Sequence, residues 1–259
     1  HAALGGVLAS ASIGEEELAD LLALRGELEG LERRASSAAA LEVGIVGQLN
    51  AGKSTLLNAL LGRTISPTSA LPATGVFLRL DPRAKTPRVL FLPELRRRPL
   101  ALASGDEVAR WITHDGNPRN REGVDRVELP CEASFLGPEV GITDTPGEGD
   151  VLQAEPERLQ RYLDERLDLA LLVASQTSLW TRASFELLER ALRRCPLVLL
   201  VANVDAGARG LDEEGAELAA RDDERLRARL AERLAESPRA PRALADGSLR
   251  VHVLSVRSA

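Results

Sequence analysis

The chain has 259 residues, of which 44% are hydrophobic and 28% charged, and its formal net charge is −6. This length and composition predict one large buried core with an additional helical element. The acidic balance argues against a broad basic surface for nucleic acid, and no apolar run approaches the roughly 20 residues that span a bilayer.

The first 40 residues predict a helix that precedes the main domain. Glu15-Glu16-Glu17 provides an acidic start and Arg33-Arg34 a basic end, which suits the helix dipole. Leucines recur between them at three- and four-residue intervals: Leu18, Leu21, Leu24, Leu28 and Leu31. Such a stripe requires a partner, either other helices in a bundle or the sheet of the following domain. We therefore divide the chain into an N-terminal helical element, residues 1–40, and a main domain, residues 41–259.

A phosphate-binding loop is predicted between an apolar strand, residues 41–46, and an amphipathic helix. Glycines 47 and 52 let successive N–H groups face inward, and the helix start adds the positive end of its dipole. Lys53 then reaches the outer phosphates, and the Ser54 hydroxyl is placed to ligate Mg²⁺. The alternative is a chance glycine turn. The predicted phosphate-binding residues are Gly47, Gln48, Asn50, Ala51, Gly52, Lys53, Ser54 and Thr55.

The next segment, residues 65–76, is rich in Pro, Ser and Thr and has no helical period, which predicts a loop. In small GTPases such a loop carries a threonine that binds Mg²⁺ and senses the γ-phosphate. Thr74 is the candidate, because it directly precedes the apolar-rich strand predicted over residues 76–80. The alternative is that Thr74 only begins that strand.

A second phosphate-facing element is predicted where the short strand 140–143 delivers Asp144-Thr145-Pro146-Gly147. Asp144 can hold a Mg²⁺-bound water, and the Gly147 N–H can meet a γ-phosphate. A Pro-Gly turn after an edge strand is the alternative. Two such elements, each at the carboxyl end of an apolar strand, favour a GTPase over an ATPase.

The remaining elements enlarge an α/β sheet. Strands are predicted over residues 87–92, 124–129, 169–174, 196–201 and 249–254, with helices that begin near Ser104 and Thr181 and a charged helix over residues 211–236. Cys131 and Cys195 lack the spacing of a metal site, which favours a reduced, cytoplasmic protein.

The run Gly47 to Gly62, together with Leu71-Pro72-Ala73-Thr74 and Asp144 to Gly147, resembles the GTPase domain of bacterial dynamin-like proteins. The resemblance covers most of residues 41–259. It implies an α/β fold, an extended Ras-like P-loop G domain with a mixed, mostly parallel sheet and helices on both faces, plus the N-terminal helix. It also implies GTP hydrolysis, homodimerisation through the nucleotide faces, and membrane remodelling or tethering.

Dynamin-like proteins continue after the G domain into stalk helices, so the sequence is expected to be part of a longer chain. Membrane contact would then lie outside it, and the full-length protein would be cytoplasmic or peripheral at the inner face of the cell membrane. The expected partners are GTP or GDP and a second copy of the chain, without specific nucleic acid.

The resemblance implies a catalytic role for Asn50. In such families the matching asparagine ligates a monovalent cation, K⁺ or Na⁺, which would stabilise charge that develops on the bridging oxygen. The alternative is a turn asparagine that tolerates an unusual backbone angle. Glu148 occupies the position after Gly147, where a water-positioning glutamine is usual, and this fits help from a cation and a dimer. The catalytic candidates are Lys53, Thr74, Asn50 and Gly147.

The base-reading motif departs from the family pattern. Family members have Asn/Thr-Lys-x-Asp after the strand 196–201, whereas this chain has Ala202-Asn203-Val204-Asp205. Asp205 retains the carboxylate that binds guanine. Ala202 and Asn203 replace the two residues that support it, the asparagine or threonine and the lysine. A weak match to a Ser-Ala-Lys-like loop follows the last strand. The candidate guanine-binding residues are Asn203, Asp205, Ser255, Val256 and Arg257.

Three functions remain open at this point. The first is a dynamin-like GTPase, favoured by the N-terminal helix and the acidic composition. The second is a monovalent-cation-dependent switch GTPase in ribosome assembly or tRNA modification, whose loop is similar. The third is a nucleotide-binding scaffold with little turnover, which the altered base-reading motif permits.

Overall fold

Nine strands form one sheet in the computed structural model, which describes residues 21–22, 24–26, 41–65, 76–104, 107–113, 115–131, 139–147, 156–165, 167–175, 178–179, 181–203 and 225–254. The strands are β1 (Leu41–Gly47), β2 (Phe77–Asp81), β3 (Arg88–Phe91), β4 (Leu100–Ala101), β5 (Val124–Pro130), β6 (Val140–Asp144), β7 (Leu169–Ser175), β8 (Leu197–Asn203) and β9 (Leu249–Leu254). Their order across the sheet is β4-β3-β5-β2-β6-β1-β7-β8-β9.

The sheet has a parallel half and a mixed half. Strands β6, β1, β7, β8 and β9 are mutually parallel. Strand β2 runs antiparallel to β6 but parallel to β5, and β3 is antiparallel to both β5 and β4. The parallel strands β7 and β8 are almost entirely apolar and buried, as expected for strands covered on both faces. The predicted fold class, a mixed and mostly parallel α/β sheet, is confirmed.

Helices cover both faces of this sheet. They are α1 (Lys53–Leu61), α2 (Val108–Ile112), α3 (Pro156–Glu165), α4 (Arg182–Arg194) and α5 (Ala240–Asp246), and residues 225–235 are also helical. One core cluster joins α1 and α2 to the odd-numbered positions of β1 and β7, such as Val43 and Leu171. The other joins α3, α4, α5 and the 225–235 helix to the even-numbered positions, such as Val46 and Leu172.

Two predicted helices form where their sequence features place them. Leu226, Leu230 and Leu234 are all buried in the second cluster, as their four-residue spacing predicts. The N-cap of helix α4 is Thr181, whose side-chain oxygen accepts a hydrogen bond from the Ser184 N–H at 3.3 Å.

At the amino end, the helical residues Leu21 and Leu24 are buried in the same core cluster as α1. Most of the predicted element 1–40 lies outside the described residues, so its boundary stays a prediction. Helix α2 is short, with five residues, and its N-cap Glu107 makes no side-chain capping bond. None of the described helices combines the length and the apolar character needed to cross a bilayer.

Candidate functional site

The ends of four parallel strands lie at one edge of the sheet. Ile45 of β1 is level with Asp144, where β6 ends, and Gly47 is level with Val173 of β7. Ser175 at the end of β7 is level with Asn203 at the end of β8. In open α/β sheets, ligands bind outside the carboxyl ends of the strands. The sheet therefore brings the predicted phosphate-binding and base-reading segments to the same edge.

The loop after β1 has the backbone geometry of a phosphate cradle. Asn50 and Gly52 both have left-handed backbone angles, φ 58° and 96°, which are open to glycine and tolerated by asparagine. Gly52 is the N-cap of α1 and makes no side-chain capping bond. The first N–H groups of a helix have no partner within that helix, so they favour an anion placed over this loop.

Gly47 is required by close packing at the base of the loop. A Cβ added there would lie 2.2 Å from the carbonyl oxygen of Val173. No side chain fits at that separation, since ordinary carbon contacts begin near 3.5 Å. The loop consequently leaves β1 in direct backbone contact with β7, and its position relative to the sheet is fixed.

Lys53 lies inside the loop that its motif predicts. Its Nζ donates hydrogen bonds to the carbonyl oxygens of Gly47, at 3.2 Å, and Gln48, at 2.9 Å, and the residue is 7% exposed. The ammonium group is thus held beside the loop backbone, where it is close to any phosphate that the loop binds.

Two of the three predicted magnesium-binding residues contact each other. The Ser54 hydroxyl donates a 2.7 Å hydrogen bond to Oδ2 of Asp144, which is completely buried at the end of β6. These residues come from motifs 90 positions apart in the chain. A hydroxyl and a carboxylate are hard oxygen ligands of the kind that Mg²⁺ prefers, so the pair fits that ion chemically.

The segment after β6 lies directly against the phosphate-binding loop. The backbone N–H and the hydroxyl of Thr145 both donate to the Ile45 carbonyl, at 3.2 and 2.8 Å. At Gly147 an added Cβ would lie 2.7 Å from Leu49 Cα and 2.9 Å from Leu49 N. The structure therefore brings together both phosphate-facing motifs that the sequence predicts.

Several predicted site residues lie outside the described residues: Thr74, Asp205, Ser255, Val256 and Arg257. Asn203 is described as the last residue of β8, level with Leu254 at the end of β9. Strands β8 and β9 therefore end beside each other. Their guanine-binding roles, the role of Thr74 and the cation-binding role of Asn50 stay predictions.

Sequence reasoning missed a polar cluster on the sheet face covered by α3. The Glu42 carboxylate accepts hydrogen bonds from Thr143, at 2.6 Å, and from Tyr162 of α3, at 2.9 Å, and forms an ion pair with Arg79 at 3.1 Å. Burial raises the pKa of the Tyr162 phenol well above its ordinary value, and the neighbouring Glu42 carboxylate raises it further. Alternation of polar residues with apolar ones in β1 and β2 is the signal that could have indicated this face.

The same cluster extends to Glu128 of β5, whose side chain is 1% exposed. Burial acts to raise the pKa of Glu128, but hydrogen bonds from Arg126 and Arg88 outweigh it, so that the pKa lies below its ordinary value. Glu128 is therefore charged and paired at neutral pH.

Comparison with known proteins gives both curated and structural relatives. An uncharacterised protein in the xynA 3′ region of Caldicellulosiruptor sp. (strain Rt8B.4) is 33% identical over 123 residues, which are 47% of this chain and 29% of that protein. Two structures of an oligomerised bacterial dynamin pair, described as a mechanism for long-range sensing and tethering of membranes, have TM-scores of 0.56 and 0.50 at 19% and 18% identity.

Both structural alignments cover 93% of this chain and 45% of the other chain. At this identity they show a shared fold, and this chain spans less than half the length of the relatives it matches. The family model described as "Dynamin family" matches residues 43–203, which is more than half of the chain. The chain therefore belongs to the dynamin family.

Proposed function

We propose that this chain is a GTPase domain that binds GTP with Mg²⁺ at the 47–55 loop and hydrolyses it to GDP and phosphate. The observation that carries the proposal is the 2.7 Å hydrogen bond between Ser54 and Asp144. It joins the phosphate-binding loop to the second phosphate-facing motif, and both belong to a chain of the dynamin family.

Phosphate binding requires Lys53 to exchange partners. In the structure its ammonium group donates to two backbone carbonyl oxygens, Gly47 and Gln48. The β- and γ-phosphates offer charged acceptors in their place, and hydrogen bonds to charged groups are worth about 1.5–3 kcal/mol. Binding therefore redirects an ammonium group that is already in position, so the lysine side chain loses little conformational entropy.

Mg²⁺ would supply charge neutralisation on the phosphates when bound. Ser54 Oγ is the candidate direct ligand, and Asp144 would act through a metal-bound water. Because the Ser54 oxygen would ligate the cation through a lone pair, its proton can stay hydrogen-bonded to Asp144. Asp144 remains available as the acceptor for the coordinated water.

Hydrolysis transfers the γ-phosphoryl group to water. The attacking water forms a bond to the γ-phosphorus while the bond to the β–γ bridging oxygen breaks, and negative charge moves toward that oxygen. The Gly147 N–H would stabilise the γ-phosphate, and a monovalent cation on Asn50 would stabilise the charge near the bridging oxygen. Because Glu148 replaces the usual glutamine, we infer that turnover rises when two copies meet at their nucleotide faces.

Base selection is proposed for Asp205, which would accept hydrogen bonds from guanine. Adenine would leave that carboxylate facing another acceptor, and a site built for hydrogen bonding rejects such an analogue by about 10⁴-fold or more. Ser255 to Arg257 would contact the base through the backbone after β9.

The decisive experiment measures GTP turnover against protein concentration in potassium, sodium and choline buffers. We expect the rate per molecule to rise with concentration and to be higher in potassium or sodium than in choline. Equal rates in choline would remove the proposed role of Asn50. A rate independent of concentration would favour a cation-dependent switch GTPase, and no turnover would favour a scaffold.

Lysine variants give a matched control, since Lys53 and Lys85 are the only lysines of the chain. Lys53→Ala should abolish nucleotide binding and turnover. Lys85→Ala, which alters an exposed residue on the β2–β3 connection, should leave both unchanged. If both variants bind GTP with wild-type affinity, the 47–55 loop is not the nucleotide site.

We also propose that the whole protein remodels or tethers membranes through parts outside this chain. Support comes from family membership and from the membrane tethering ascribed to the bacterial dynamin pair. Vesicle sedimentation tests it: this chain alone should stay in the supernatant, and the full-length protein should sediment with anionic vesicles. Sedimentation of this chain alone would place membrane contact within it.

A further inference from the structure

A cleft of about 580 Å³ lies between α3 and the mixed half of the sheet. Its described lining comes from β1, β2, β3, residues 92–94, β5, β6 and α3 and includes no residue of the 47–55 loop. Pockets of about 300–1,000 Å³ are typical of small-molecule sites. The volume is therefore sufficient for a compact ligand, at a place that the proposed nucleotide chemistry does not use.

The floor of the cleft is polar, partly buried and already ordered by ion pairs. It contains Glu42, Thr143 and Arg79, and Arg79 forms ion pairs with Glu42 at 3.1 Å and with Asp81 at 3.0 Å. Two carboxylates hold Arg79, so the floor offers ordered hydrogen-bonding groups, and the described lining as a whole has four arginines against three carboxylates. Such a floor holds its geometry when a ligand binds, which lowers the cost of binding.

Apolar and aromatic groups form the sides. The Phe77 and Tyr162 rings lie 5.0 Å apart, and Leu90 and Leu92 also line the cleft. Phe77 and Leu90 are both level with Arg126 of β5, which lies between them on the sheet. The Arg158 guanidinium lies 5.3 Å from the centre of the Phe77 ring. A flat ring placed over this face of the sheet would contact carbon at Phe77 and Leu90 and the Arg126 guanidinium between them.

The charge available to a ligand is positive and is located on α3. Arg158 and Arg126 line the cleft but are engaged in ion pairs with Asp125. Arg161 also lines the cleft, is exposed, and makes no ion pair with any residue that the structure describes. Glu94 also lines the cleft and is exposed as well.

We propose that this cleft is a binding site for a small planar aromatic molecule that carries one anionic group, its ring over Phe77, Arg126 and Leu90 on the sheet and its anion at Arg161. The site does not depend on nucleotide binding, because the two sets of residues are separate.

The test uses 2-naphthoate as the probe in isothermal titration calorimetry on the whole chain, without nucleotide and again with excess GDP. We expect saturable binding of one probe per chain that GDP leaves unchanged. The neutral 2-naphthamide should bind more weakly, and the cation 2-naphthylmethylammonium more weakly still. Displacement by GDP would assign the probe to the nucleotide site and overturn the proposal.

Variants locate the site. Arg161→Gln should weaken 2-naphthoate binding about three- to tenfold, as expected for an exposed charge, and should leave 2-naphthamide unaffected. Arg193→Gln, the same change on the exposed end of α4, should leave both probes unaffected. Glu94→Gln should tighten 2-naphthoate binding.

A second variant tests the volume without removing charge. Leu90→Trp places a larger ring in the cleft and should abolish binding of both probes while the far-ultraviolet circular dichroism spectrum is retained. Absence of saturable binding in the wild type, equal effects of Arg161→Gln and Arg193→Gln, or full binding by Leu90→Trp would each overturn the proposal.

Discussion

Replacing Gly147 by alanine is expected to weaken GTP binding more than GDP binding. The new Cβ would lie 2.7 Å from Leu49 Cα, whereas carbon atoms in contact are separated by about 3.5–4.0 Å. One of the two segments must therefore retreat by about 0.8 Å or more. The contact is between backbone atoms on the Leu49 side, so rotation of a side chain cannot relieve it.

Overpacking of this kind costs about 1–3 kcal/mol. If the cost falls on the arrangement that places the Gly147 N–H against a γ-phosphate, affinity for a non-hydrolysable GTP analogue drops by about 5- to 150-fold. GDP lacks the γ-phosphate, so its affinity should fall by a smaller factor.

Fluorescence titration with labelled GDP and a labelled GTP analogue measures both affinities. Gly26→Ala is the matched control, because a Cβ at that helical position meets nothing within 4 Å, and both affinities should be unchanged. An equal loss for the two nucleotides would mean that Gly147 acts only by deforming the phosphate-binding loop. Wild-type affinities in a folded Gly147→Ala variant would refute the steric reasoning.

Three further predictions concern the buried polar groups. Glu128→Gln should lower the free energy of unfolding by about 1.5–3 kcal/mol at pH 7, because it removes a buried carboxylate that accepts charged hydrogen bonds from partly exposed arginines. Since the pKa of Glu128 is lowered on folding, the difference from wild type in urea unfolding should shrink as pH falls below about 4. Tyr162 is the only tyrosine of the chain, and its pKa is raised in the folded state. Absorbance at a tyrosinate wavelength should therefore titrate at higher pH in the folded chain than in the urea-unfolded chain. The free energy of unfolding should fall as pH rises above about 10. Burial raises the pKa of the Cys195 thiol to about 11, so Cys131→Ser protein should resist iodoacetamide at pH 8; alkylation at the rate of free cysteine would contradict this.

The phosphate-binding part of the site could be predicted because its determinants are local in sequence. The two glycines, Gly47 and Gly52, set the backbone path of one loop, and the Lys53 side chain reaches into it. Nine consecutive residues specify all of this. The Ser54–Asp144 contact could also be anticipated, since each residue follows an apolar strand and the carboxyl ends of parallel strands share an edge.

The polar cluster could not be predicted, because it depends on the order of strands in the sheet. Strand β5 pairs with β2 although β3 and β4 lie between them in the chain. Only that pairing brings Arg79 of β2 to 3.7 Å from Glu128 of β5. Periodicity in the sequence shows which residues share a face of a strand, but it does not show which strands are neighbours.

The short α2 helix shows a second limit. The acidic segment near Ser104 predicts a helix start, and the helix that forms begins at Val108 and ends after five residues. Its length is set by packing of Val108, Trp111 and Ile112 into the core cluster of α1. Local propensity is a weak guide when tertiary contacts decide where a helix ends.

Strand β4 has a consequence for how copies of the chain can associate. It is an edge strand of the nine-stranded sheet and has only two residues, both exposed. Pro99, directly before it, has no amide hydrogen to donate. The three preceding arginines, Arg96 to Arg98, would repel the same segment of an approaching molecule. Short, charged and proline-bounded margins of this kind discourage intermolecular strand pairing. This edge of the sheet is therefore poorly suited to strand pairing between copies of the chain.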